Sequence, residues 1–210
     1  LGPIWDGNEV WMITAGGALF ASFPHVYATL FSGFYMALFL MLAVLIMRGV
    51  AFEFRSKSAN RTWRKVFDYC IFIGSIVPAL LWGVTVGNLI QGTPIDETMT
   101  YVGTFWDLLS PYTVLCGVAF VLVFTYHGGL FTSIKTAGPI SERARAASLV
   151  TGVPTAIGVI ALIIASYVYT DLYSSILATI FCALAVVCFL ISWAAARTRN
   201  TKWGFVFSSL

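Results

Sequence analysis

The chain has 210 residues, of which 59% are hydrophobic, 16% aromatic and only 10% charged. A soluble domain is about 45–50% apolar and about 25% charged, so this composition excludes an ordinary water-soluble fold and points to lipid as the solvent. The net charge of +3 comes without a basic patch interleaved with stacking aromatics, which argues against nucleic-acid recognition.

A membrane-crossing helix needs about 20 predominantly apolar residues. Six segments meet that length. The first covers residues 5–23, opens on the polar run Trp5-Asp6-Gly7-Asn8-Glu9 and stops before Pro24. The others cover residues 26–50, 66–89, 108–132, 147–169 and 175–196. A further apolar stretch begins at Trp203 and runs to Leu210. The expected fold is an all-α polytopic transmembrane bundle, one transmembrane domain over residues 1–210. The chain opens on Leu1 without a visible signal peptide and ends as another apolar stretch starts, so it reads as a central fragment truncated at both ends.

Charge placement supports the six-span count. All twelve basic residues fall in alternate connections. Arg48, Arg55, Lys57, Arg61, Arg64 and Lys65 follow the second span, Lys135, Arg143 and Arg145 the fourth, and Arg197, Arg199 and Lys202 the sixth. The opposite connections hold His25, Asp96, Glu97, Asp107 and Asp171, with no lysine or arginine. The positive-inside rule puts the basic connections in the cytoplasm, and the start of the chain with them.

Within the spans, Gly17 and Ala21, Gly33 and Ala37, and Gly83 and Gly87 are small pairs at spacing four, suited to close helix approach. Pro78 and Pro154 are expected to kink their helices. Trp63, Trp82, Trp106, Trp193 and Trp203 fall near predicted span ends, as interfacial anchors do. Cys70, Cys116, Cys182 and Cys188 show neither C-x-x-C nor C-x-x-C-H spacing and read as apolar filler.

Few residues here could carry chemistry. Asp6, Asn8 and Glu9 lead straight into an apolar helix, where an ionised carboxylate is costly and marks either function or a partner. Asp6 and Asn8 equally suit helix capping, with the acid favoured by the helix dipole. Asp68 reads as an acid in the first turn of the third span, or as a partner contact or proton antenna. His25 and His127 are the two histidines, and each reads more readily as a hydrogen-bonded structural group than as a haem ligand. Zinc spacing, phosphate-cradling glycine loops and nucleophile elbows are missing from the sequence.

Trp5 to Ala21, Trp-Asp-Gly-Asn-Glu-Val-Trp-Met-Ile-Thr-Ala-Gly-Gly-Ala-Leu-Phe-Ala, resembles the W-D-G-N-x-V-W-L-I-T-A-G-G-A-L-F-A signature of subunit II of cytochrome bd-type quinol oxidases. Phe31-Ser32-Gly33-Phe34-Tyr35, Arg48 to Arg55, Gly87-Asn88-Leu89-Ile90-Gln91-Gly92 and Lys135-Thr136 resemble later segments of that family in order. The likeness is strong to about residue 146 and diffuse beyond.

The resemblance implies a subunit of a quinol:oxygen oxidoreductase in the bacterial plasma membrane. Subunit I would carry the haems, b and d or b only, and the quinol site. Subunit II would bind no haem itself, with a structural quinone left open, and would be needed for a stable complex. A small single-span subunit is a further expected partner. Asp6 matches an acid on a cytoplasmic proton route, and Trp11 matches a residue near the mouth of an oxygen route. Trp5, Asn8, Glu9, Gly16, Gly17 and Asp68 are expected in partner or helix-packing contacts. Two alternatives stand beside this reading: a purely structural assembly subunit, and a secondary transporter, which would need broken helices meeting at the midplane.

Overall fold

The structure is a computed structural model that describes residues 2–210. Eight α-helices follow one another: α1 Gly2–Ser22, α2 Pro24–Gly33, α3 Tyr35–Phe54, α4 Arg61–Gln91, α5 Pro111–Lys135, α6 Pro139–Tyr169, α7 Ile176–Arg197 and α8 Thr201–Ser209. Helices satisfy every backbone group within one segment, which is what a chain crossing hydrocarbon must do. Side-chain hydroxyls follow the same rule by donating one turn back: Thr14 to the Val10 carbonyl at 2.9 Å, Ser75 to Ile71 at 2.7 Å and Thr125 to Val121 at 2.6 Å. Pro24, Pro111 and Pro139 open α2, α5 and α6, where a missing N–H costs nothing.

Among the described residues, five helices are long and apolar enough to cross a bilayer: Tyr35–Lys57, Arg61–Gln91, Pro111–Lys135, Pro139–Tyr169 and Ile176–Arg197. The first predicted span forms α1, but its polar opening leaves it without an equally apolar stretch. The second predicted span is not one helix. It breaks at Phe34, between α2 and α3. The Ser32-Gly33 pair stands at the break, a sequence at which helices kink, and Tyr101 occupies the space beside Gly33, where an added Cβ would sit 2.9 Å from the Tyr101 ring. Pro78 and Pro154 lie inside α4 and α6, which continue through them.

The chain divides into two compact units, Leu1–Leu81 with Gly92–Ser110, and Trp82–Gln91 with Pro111–Leu210. In the first, Ala37, Met41 and Leu81 are buried against Met12, Leu45, Val77 and Phe105. Its segment 92–110 is ordered by polar contacts of its own. Ile95 and Tyr101 form an isolated bridge, and the Asp96 carboxylate accepts from the Thr98 N–H at 2.9 Å and the Thr100 N–H at 2.8 Å. Thr104 and Asp107 form a reciprocal capping box around a 3-10 turn.

The second unit packs around α5. Gly83 and Gly87 of α4 lie against it so closely that a Cβ on Gly83 would stand 2.5 Å from the Cys116 carbonyl oxygen. Here the small-residue expectation holds as helix packing; Gly17 by contrast faces open space, and Gly33 makes room for a loop aromatic. The Tyr126 and Ser192 hydroxyls share a 2.7 Å hydrogen bond, and Ser192 also donates to the Gly204 carbonyl at 2.6 Å. That second bond ties the short α8 back onto α7 after a turn at Arg199, whose φ is +61°.

Candidate functional site

The polar opening of α1 lies at the C-terminal end of α3. The Trp5 ring stands 5.4 Å from that of Phe52, and Arg48 Nη2 donates to Glu9 Oε1 at 2.8 Å. One turn further on, Met12 packs against Ala37, Met41 and Leu81. These contacts run in opposite order along the two helices, so α1 and α3 are antiparallel over this stretch. Asp6 is therefore held at the level of the basic connection that follows α3.

The geometry corrects the capping alternative. α1 begins at Gly2, so Asp6 and Asn8 sit within the helix and not at its N-cap. Both are exposed, and no hydrogen bond or ion pair to the Asp6 carboxylate is found among the described residues. Glu9 is engaged instead. Its ion pair with Arg48 is largely covered, with side chains 29% and 19% exposed. Gly74 of α4 backs this pair: an added Cβ there would stand 2.7 Å from Arg48 Cβ. Three helices thus converge on one guanidinium–carboxylate contact beside a free carboxylate.

Trp11, on the same helix, is 75% exposed. Gly16 lies near Phe31, with 3.8 Å left for an added Cβ. Asp68 is not in a first turn, because α4 begins at Arg61. It accepts a two-pronged hydrogen bond from Arg55, Nη2 at 3.2 Å, and so ties the end of α3 to the start of α4. Lys57 and Glu53 add a looser pair at 3.5 Å.

His25 is exposed near the start of α2. His127 is partly buried on α5, its Nδ1 2.8 Å from Ser208 Oγ and its ring tilted against Phe205 at 4.6 Å between centroids. No group of three or more His, Cys, Asp or Glu able to hold a metal ion occurs among the described residues.

Outside the spans, two carboxyls are held below their ordinary value of 3.8. The Thr98 side chain and Thr100 N–H stabilise ionised Asp96, and the Thr104 N–H and hydroxyl stabilise ionised Asp107. Arg48 is the residue that reading by segment overlooks: it stands in a basic run, and its partner lies on another helix.

Long apolar helices, exposed apolar surface and interhelical hydroxyl contacts define a polytopic helical membrane protein. The chain belongs to the cytochrome bd terminal oxidase subunit II family, which it matches over residues 1–210. It is 47% identical over 161 residues to the "probable cytochrome oxidase subunit 2" of Haemophilus influenzae, covering 75% of this chain and 43% of that one. It is 47% identical over 159 residues to the "cytochrome bd-I ubiquinol oxidase subunit 2" of Escherichia coli K12, covering 74% and 42%. Against the "cytochrome bd ubiquinol oxidase subunit 2" of Bacillus subtilis, identity is 37% over 208 residues, 98% of this chain and 61% of that one. The chain thus spans less than two thirds of each of these relatives.

Proposed function

We propose that this chain is part of subunit II of a quinol:oxygen oxidoreductase, that it scaffolds a haem-bearing subunit I, and that Asp6 takes up protons from the cytoplasm for oxygen reduction in that partner. The relatives' names describe ubiquinol oxidase subunits, and the family match covers the whole chain. The observation that carries the proton role is the free Asp6 carboxylate, held by the Trp5–Phe52 and Glu9–Arg48 contacts at the basic end of the bundle. The positive-inside rule makes that end cytoplasmic. Protons drawn from that side while quinol releases its own on the other would conserve energy without a pump.

The chain's own groups support placing the haems elsewhere. His127 suits a hydrogen-bonded structural group, with Nδ1 2.8 Å from Ser208 Oγ and its ring against Phe205, and His25 stands exposed at a helix start. Trp11, bare on the lipid or partner face of α1, supports an oxygen route opening there, since oxygen partitions into apolar surroundings.

Asp6→Asn in the intact complex tests the reading. The expected result is normal assembly and haem content with oxygen reduction and proton uptake slowed about a hundredfold or more, the scale of a general acid–base contribution, and a milder loss in Asp6→Glu. Wild-type turnover in D6N would overturn the proton role. Lost complex and lost haem would favour the purely structural alternative.

A further inference from the structure

An open cavity of about 370 Å³ lies on α4 near its start, lined by Lys65, Asp68, Tyr69 and Phe72. Their spacing of three, one and three puts all four on one face of the helix, passing from cation to aromatic ring as the helix enters its apolar part. Tyr69 and Phe72 are bare, 68% and 60% exposed. Phe72 belongs to the apolar stretch and Lys65 to the polar connection, so the cavity straddles the level where a bilayer passes from headgroup to acyl chain.

The charges here are unequal. Residues 53–68 carry five lysines and arginines against two carboxylates. Both carboxylates are already paired, Asp68 with Arg55 and Glu53 with Lys57. Arg61, Arg64 and Lys65 remain in excess; Arg64 donates only to the neutral Ser58 carbonyl, at 3.2 Å. Lys65 has no ion-pair partner among the described residues, and the carboxylate beside it in the cavity is neutralised from the far side by Arg55.

We infer that this cavity holds one phospholipid of net negative headgroup, with its phosphate on Lys65 and its upper acyl chain along Tyr69 and Phe72. A cationic group at headgroup level above bare aromatic rings complements that molecule in both charge and polarity. The surplus cations disfavour a zwitterionic headgroup, whose own ammonium would meet them. The inference stands apart from the proton reading, because Asp6 takes no part in the cavity.

The test uses the intact complex in phosphatidylcholine vesicles with a minor fraction of phosphatidylglycerol. Spin-labelled phosphatidylglycerol and phosphatidylcholine are compared for their protein-bound fraction. Wild type should prefer phosphatidylglycerol. Lys65→Gln should lower that preference about fivefold, Lys65→Arg should keep it, and Asp6→Asn should not move it. A Tyr69→Trp reporter should be quenched by phosphatidylglycerol brominated on its acyl chain. An unchanged preference in K65Q would overturn the inference. So would an unquenched Y69W, which would mean that another protein segment covers the cavity.

Discussion

Arg48 of α3 and Glu9 of α1 form a 2.8 Å ion pair with most of both side chains covered, at a point where Gly74 lets α4 approach the α3 backbone at Arg48. The contact joins two helices 39 residues apart in sequence and fixes where α1 begins relative to the basic connection. Its strength follows from partial burial, because a covered pair is screened less than a surface one.

Glu9→Gln should therefore destabilise the protein by about 1–2 kcal/mol, since a guanidinium left near the hydrocarbon boundary loses its countercharge. Thermal unfolding of the purified complex in detergent reads this out. The double substitution Glu9→Gln, Arg48→Met should cost less than the sum of the singles. Strict additivity would show that the pair does not act as a unit.

The crossing of α4 on α5 gives a second expectation. Gly83→Ala places a methyl group 2.5 Å from the Cys116 carbonyl oxygen and 2.6 Å from Gly117 Cα, so the helices must separate. A loss of about 1–3 kcal/mol is expected. Gly17→Ala meets nothing within 4 Å and should leave thermal stability unchanged or slightly raised.

Between α5 and α7, Tyr126→Phe removes the hydroxyl that shares a 2.7 Å hydrogen bond with buried Ser192. Interhelical hydrogen bonds in membranes average about 0.6 kcal/mol, so a loss near that figure is expected by thermal unfolding. Ser192 keeps its bond to Gly204, which limits the effect and should leave α8 in place.

The connection 92–110 should respond to acid. Asp96 and Asp107 are held below 3.8 by hydrogen bonds to their ionised forms. For carboxyls depressed on folding, the stabilisation is present above the unfolded value and is lost as pH falls through the folded one. The segment should stay ordered down to about pH 4 and loosen below it. Emission of the exposed Trp106, next to Asp107, reports the change. Asp107→Asn should weaken the capping box at neutral pH and reduce the acid transition.

Much of the fold is legible in the sequence, because apolar runs of span length have few ways to satisfy their backbone in lipid. The helices expected over residues 66–89, 108–132, 147–169 and 175–196 all form; α4 and α6 reach further back into their polar flanks, to Arg61 and Pro139, while α5 and α7 keep the expected length but start at Pro111 and Ile176. The break at Phe34 is legible only in part: the Ser32-Gly33 pair before it is a place where helices kink, but the Tyr101 ring seated beside Gly33 comes from a distant connection. That the chain is already helical at Asp6 and Asn8 is not legible, because their types suit a cap while their positions fall within α1. At the candidate site, Asp6 and Trp11 stand out through family resemblance. The pairing of Arg48 with Glu9 does not, because a charge pair between separate helices leaves no local pattern.

Proton uptake through Asp6 requires the basic connections, and Asp6 with them, to lie on the cytoplasmic side. Intact cells treated with a membrane-impermeant amine reagent should leave Lys57 and Lys135 unmodified, and both should react once the membrane is opened. Modification of either lysine from outside would invert the bundle and remove Asp6 from the cytoplasmic proton supply.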